Sequence, residues 1–107
     1  MKFLKQIDLS KIKVLSFDLD NTLWGGVVGD DGVDNLELGK ETAIGQGYYE
    51  FQEYIRAHRD LGVLLNVSSK NDFNNAIQGL KHPSGVLKPD DFTIIKTELA
   101  TIGIGIC

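Results

Sequence analysis

The sequence predicts an α/β fold built on a parallel sheet, and two observations carry that expectation. Short apolar, β-branched runs alternate with longer stretches of helical periodicity, and the first two runs each end in a cluster of polar residues. The order strand, hairpin, helix, strand, helix, strand calls for right-handed crossovers, because parallel neighbours cannot be joined by a tight turn.

Taken in order, Ile12, Val14, Leu15 and Phe17 make residues 12–18 a buried strand. The next stretch, "NTLWGGVVGDDGVDNLELG", is rich in Gly and Asp, and Val27, Val28 and Val33 flank "GDDG". That is a turn signal, and it predicts a short β-hairpin flap over residues 24–38, with Trp24 either packing the flap or facing a substrate. Ile44, Tyr48, Phe51, Ile55 and His58 recur at spacings of four and three and define one face of a helix over 43–60. Thr42 is its N-cap and Gly62 its stop, while Gly45 and Gly47 each weaken the first turn by up to about 1 kcal/mol. Tyr48 and Phe51 are expected in the core, and His58 as a packed histidine on the same stripe. "GVLLNVSS" predicts a second buried strand over 63–68, and Asn71 caps a second helix over 72–80 that the "HPSG" turn ends. "VLK" at 86–88 reads as a short third strand, Asp90 or Asp91 opens a turn, and "FTIIK" at 92–96 is a strand or a helix start. Doubly wound domains have about five strands or more. Fewer are counted here, so residues 1–107 are expected to form one domain equivalent to the N-terminal part of a larger fold. The alternative is a small domain that pairs its open sheet edge with another copy.

The bulk properties narrow the function. A net charge of −4 and a pI near 5.0 leave no basic excess for nucleic acid. The lone cysteine, Cys107, rules out a disulfide within the chain and suits a reducing compartment. The N-terminal "MKFLKQIDLSKIKVL" is broken by Lys2, Lys5, Asp8, Lys11 and Lys13, so it resembles neither a signal peptide nor a membrane span, and a cytoplasmic location with no membrane partner is expected.

The chemistry concentrates in "FDLDNT". In open α/β sheets ligands sit at the carboxyl ends of the strands, where Asp18 and Asp20 fall. Residues two apart on a strand share a side, so both carboxylates can serve one site. Two close anions repel, and a divalent cation such as Mg²⁺, which prefers hard oxygen ligands, relieves them. An ionised Asp18 can then attack phosphorus, and a protonated Asp20 can hand a proton to the leaving oxygen. The plainer reading is a pair of solvated turn carboxylates. The second strand ends in Ser68, Ser69 and Lys70, which reach the same edge if the strands are parallel neighbours. A hydroxyl and helix-start N–H groups there can bind a phosphoryl oxygen, and Lys70 can add charge; a Ser-rich helix cap is the plainer alternative. Other patterns fail. Glu41 follows Gly39-Lys40 where a phosphate loop needs Ser or Thr, and Leu23 and Gly29 stand where a calcium loop needs Gly and Glu. His58 and His82 are isolated, which argues against zinc.

The string "FDLDNTLWGGVVGDDGV" resembles the haloacid dehalogenase (HAD) signature, D-x-D-x-T after a strand. With "LG-ET", "GVLL…SKND" and "HPSGVLKPDDF" it is similar to the FkbH-like branch over residues 11–96. The resemblance implies a Rossmannoid three-layer sandwich, cut short in its C-terminal half. It implies Asp18 as the nucleophile that becomes an aspartyl phosphate. It makes Asp20 the general acid and base, with its main-chain carbonyl a Mg²⁺ ligand beside Asp18. Thr22 supports the loop, Ser69, or failing it Ser68, binds the phosphoryl group, and Trp24, Gly25 and Gly26 belong to a flap over the site. The implied substrate is a small phosphorylated compound, in the FkbH-like branch a three-carbon acyl group passed to an acyl carrier protein. The family's third-motif lysine and fourth-motif aspartates have no good match here, Lys88 and Lys96 fitting the former poorly, and Ser68 stands where relatives carry cysteine. Three readings follow: a HAD-like phosphatase or phosphotransferase; a non-catalytic module that binds a carrier protein or itself through an open sheet edge and "TIGIGIC"; and, third, a phospho-acceptor of receiver type.

Overall fold

The computed structural model describes residues 14–98 and 101–103. Four strands form one sheet in the order β1-β2-β3-β4. Strands β1 (Val14–Phe17), β2 (Leu64–Ser68) and β3 (Ile94–Lys96) are parallel, with Phe17 opposite Val67 and Val67 opposite Ile95. Strand β4 (Thr101–Gly103) runs antiparallel to β3. "TIGIGIC" was expected to help present an open edge, but its Thr101–Gly103 covers the β3 edge from within the chain. Residues 12 and 13 of the expected first strand lie outside the described residues.

Helix α2 (Ala43–Asp60) joins β1 to β2, and α3 (Phe73–Leu80) joins β2 to β3. Both crossovers step the same way across the sheet, so the right-handed rule puts both helices on one face. The strands alternate accordingly. Leu65, Val67 and Ile95 are buried against Ile55, Ala76 and Leu80, with Leu15 and Phe17 packed on them, whereas Val14, Leu64 and Ile94 are exposed on the other face. Of the three layers expected, the described residues comprise the sheet and one helical layer.

The N-cap of α2 is Thr42, whose side chain accepts from Gly45 N at 2.9 Å. A Cβ on Gly45 would lie 2.9 Å from that Thr42 oxygen, so the glycine that weakens the helix makes room for its cap. Gly62, at φ +99°, follows the helix as expected. The buried stripe is rotated from the one expected. Gly45, Gln52 and Ile55 are buried with Tyr48 and Tyr49 partly so, while Ile44 and Phe51 are exposed. Phe51 leaves the core but keeps an edge-to-face contact with Phe17 at 6.4 Å. His58 is half-buried, its ring 4.6 Å from that of Tyr54. The rotation escaped the sequence because a polar residue occupies the middle of the buried face.

That residue, Gln52, is 2 % exposed. Its amide donates to Leu23 O at 2.6 Å, and its Oε1 accepts from Val86 N and Leu87 N, both at 3.0 Å. These bonds explain why "VLK" is no strand: two of its N–H groups are taken by a side chain, and Pro89 then opens a 3-10 turn over Pro89–Asp91. The third parallel strand is Ile94–Lys96 instead. Replacing Gln52 with leucine leaves the buried Leu87 N–H, the part-buried Val86 N–H and the buried Leu23 carbonyl without this partner, and is expected to cost about 3 kcal/mol in urea unfolding. A loss below about 1 kcal/mol would contradict this clamp.

His82 is held below its usual value of 6.5, first by burial and then by Lys88, against opposing pulls from Asp34 and Glu41. Its Nδ1 accepts from Ser84 N at 3.0 Å, which suits the neutral ring. With the folded value lowered, the unfolded chain takes up the proton first, so the contribution to stability is whole above 6.5 and is lost as pH falls below it. His82→Asn is expected to flatten the fall of Tm between about pH 7 and about pH 5.5; an unchanged slope would rule His82 out as its source.

Candidate active site

Strand β1 delivers Asp18 and Asp20 just past its carboxyl end. Leu19 between them is fully buried, so the strand's alternation persists and keeps Asp18 exposed and Asp20 half-buried. Asn21 then takes φ +56°, the left-handed region that asparagine tolerates better than most residues. The reversal lets Thr22 N and Leu23 N both donate to Leu19 O, at 3.0 and 2.9 Å. Gly26, at φ +102°, donates to Asn21 Oδ1 at 2.8 Å and ties the far side of the loop to the turn.

The loop after the turn closes on itself, but not as a β-hairpin. One antiparallel bridge joins Gly25 and Glu37, with N–H to O distances of 3.0 and 2.9 Å. Between them lie helix α1 (Val28–Asp31) and a 3-10 turn (Val33–Asn35) in place of paired strands. The "GDDG" turn residues are spent on α1: Asp31 accepts from Val27 N at 2.9 Å, and the Gly32 N–H bonds back to Val28 O. Trp24 is likewise not a flap residue over the site. It is fully buried against Gly79 of α3, where glycine alone leaves space for the indole.

The carboxylate of Asp20 receives three N–H donors. Trp24 Nε1 and Val28 N donate to Oδ1 at 3.1 and 3.0 Å, and Asn71 Nδ2 donates to Oδ2 at 2.9 Å. Asp18 Oδ1 accepts from Leu19 N at 2.8 Å. From β2, Ser69 is 8 % exposed, and its Oγ accepts from Asn71 N and Asn71 Nδ2, both at 3.1 Å. Its own N–H donates to Lys96 O at 2.9 Å, anchoring it to the end of β3.

The sequence-predicted residues therefore divide. Asp20 and Ser69 are joined through Asn71, and Asp18 stands exposed two residues before Asp20, next after β1. Ser68 is the last residue of β2, in step with exposed Leu64 on the open face, so strand parity separates it from buried Ser69. Lys70 is exposed, and no bond ties it to the carboxylates among the described residues. Thr22 is half-buried and borders a cavity of about 280 Å³ with Ile44, Tyr48 and Phe51. Lys88, one of the two weak lysine matches, spends its Nζ on His82 O at 2.7 Å. Asn71 was missed as a site residue. It was expected to cap α3, but Asp72 does that, accepting from Asn75 N at 2.8 Å. The signal was present in "SKND": with two cap-forming residues in a row, only one is needed for the cap.

Among the described residues no cluster of three His, Cys, Asp or Glu side chains stands ready as a metal cage. The donors at the β1 end are hard carboxylate and carbonyl oxygens, with no imidazole or thiolate. That set fits an ion such as Mg²⁺, which takes one or two carboxylates and keeps several waters, and does not fit zinc. The Asp20 side chain already carries three N–H donors, so Asp18 is the better-placed carboxylate for a cation.

No family model and no curated protein matches the chain. Among solved structures it is similar to the N-terminal part of the protein BF1531 from Bacteroides fragilis, which contains a phosphatase domain and was crystallised in complex with Mg. The two share 40% identity and superpose with a TM-score of 0.78, over 82% of this chain and 24% of that one. The chain thus spans about a quarter of that structure's length. Its D-x-D-x-T stands at the end of the first parallel strand and its fold is that of a protein 40% identical to it, and on these grounds the chain belongs to the haloacid dehalogenase superfamily.

Proposed function

We propose that the chain performs phosphoryl transfer or phosphate-ester hydrolysis through an aspartyl phosphate on Asp18, with Mg²⁺ as cofactor. The observation that supports this reading is the Asp20–Asn71–Ser69 bridge, which ties the residues past the ends of β1 and β2 to each other. An oxygen of Asp18 attacks phosphorus as the ester P–O bond breaks, and Asp20 gives its proton to the leaving oxygen. Asp20 then takes a proton from a water molecule that attacks the same phosphorus, freeing inorganic phosphate and Asp18. Ser69 donates its O–H to a phosphoryl oxygen throughout. Mg²⁺, held by the Asp18 carboxylate and the Asp20 main-chain carbonyl, would offset the anionic charge of the phosphoryl group.

The substrate is a small phosphorylated compound. Likeness to the FkbH-like branch points to a phosphorylated acyl group and an acyl carrier protein as partner. Ser68, in place of a thiol, favours phosphate release over acyl transfer. No helix among the described residues is long and apolar enough to cross a membrane; the lone Cys107 suits a reducing, cytoplasmic setting. Release of phosphate from a generic phosphate ester should require Mg²⁺; equal turnover in a chelator would overturn the reading.

A second reading, self-association, rests on the exposed Val14, Leu64 and Ile94 of the open sheet face. Light scattering tests it, and a strict monomer at high concentration excludes it.

A further inference from the structure

We propose that Asn71 is a positioning residue: its carboxamide, between the Asp20 carboxylate and the Ser69 hydroxyl, decides where both of those groups carry their protons. The inference rests on the phosphoryl-transfer reading above and assigns within it a residue that neither the D-x-D-x-T signature nor the strand-end serines identify.

The argument begins with the capacity of each group. A serine hydroxyl has one hydrogen to give and two lone pairs to receive with. Both lone pairs of Ser69 Oγ are taken, one by Asn71 N and one by Asn71 Nδ2, each at 3.1 Å. The hydroxyl hydrogen must therefore point away from Asn71, which makes Ser69 an outward donor before any ligand arrives. Asp20 is constrained in the same way. Oδ1 already accepts two N–H groups, from Trp24 and Val28, so a proton on this carboxyl belongs on Oδ2. One side of Oδ2 is occupied by Asn71 Nδ2 at 2.9 Å, leaving a single open position on that oxygen. The amide nitrogen has two hydrogens, and these two contacts use both. The opposite amide orientation would set its carbonyl oxygen against the carboxylate, so the neighbours dictate the orientation. One side chain thus commits Ser69 to donating and confines the transferable proton of Asp20 to one direction, which is the orientational work that proximity effects depend on.

The test uses the full ¹⁵N-labelled chain at fixed pH and has two arms. Trp24 is the only tryptophan, so its indole N–H gives a single resonance, and that N–H is bonded to Asp20 Oδ1. Asn71→Leu, similar in size but without donors, is expected to speed indole hydrogen exchange about tenfold by loosening Asp20, while Ser69→Ala leaves it unchanged. In the second arm inorganic phosphate with Mg²⁺ is titrated. Asn71→Leu and Ser69→Ala should each weaken binding about tenfold, and the double variant no further than either single one. Additive losses, or wild-type exchange and binding in Asn71→Leu, overturn the proposal. Should the unaltered chain bind no phosphate, the phosphoryl-transfer reading fails and the indole arm alone decides whether Asn71 positions Asp20. Asn71→Ala, checked for an intact fold by its melting curve, serves if the leucine variant does not fold.

Discussion

Asp18→Asn is expected to lower phosphate-ester turnover by a factor of about 10⁴ or more, the scale on which loss of a covalent nucleophile is felt. Asparagine keeps the size of the side chain and can still accept the Leu19 N–H bond through its amide oxygen. Asp18 is exposed and makes no other side-chain bond among the described residues, so the melting temperature should barely move. Asp20→Asn behaves differently. It removes the proton carrier, worth about 10²- to 10⁴-fold. It also places an amide where three N–H donors converge, so stability should fall together with rate. The contrast is the informative result: rate loss without stability loss at Asp18, both losses at Asp20. Turnover in Asp18→Asn near the unaltered level would sink the nucleophile assignment, whatever the chain's activity.

Gly79→Ala is expected to destabilise the protein by about 2 kcal/mol, although alanine is the better helix former by nearly 1 kcal/mol. Gly79 lies in the last turn of α3 and is not among the glycines of positive φ, so propensity alone predicts a gain, if a smaller one than at mid-helix. The packing reverses the sign. A Cβ at this position would lie 2.6 Å from Trp24 Cζ2 and nearer still to Cη2, closer than carbon atoms approach. Trp24 is the largest fully buried side chain, so the ring has no free space to yield into. For a domain of this size the melting temperature should drop by roughly 10 °C. The effect should also reach the site, because the indole that must shift is the one whose Nε1 holds Asp20. A stabilised Gly79→Ala variant would show that the ring is not packed as described.

The parts legible in the sequence were those governed by local rules. The chain order of strand and helix, the limits of α2, its Thr42 cap and its Gly62 stop follow from periodicity and capping chemistry. The place of D-x-D-x-T just past the end of an apolar strand was legible for the same reason: the pattern lies within five neighbouring residues. Of the expectations that were revised, one turned on bonds inside the turn itself, and two on a distant group that changed a local preference. "GDDG" satisfied a turn rule, but Asp31 and the Val28 carbonyl made a helical turn of it. "VLK" had the composition of a strand, and Gln52, 34 and 35 positions away along the chain from its first two residues, took their N–H groups. Phe51 had the hydrophobicity of a core residue, and the helix turned a glutamine inward instead, because that glutamine had partners to bond.

By itself, then, the sequence determined the fold class and the strand end at which Asp18 and Asp20 stand, since each depends on residues close together in the chain. Only the tertiary structure decided that Ser69 and not Ser68 is linked to Asp20 through Asn71, that Trp24 is buried in the core with its Nε1 on Asp20, and that Asn71 bridges the two strand ends. These depend on strand parity and on contacts between residues as far apart in the chain as Asp20 and Asn71 or Trp24 and Gly79, and such contacts exist only once β1, β2 and α3 have packed together.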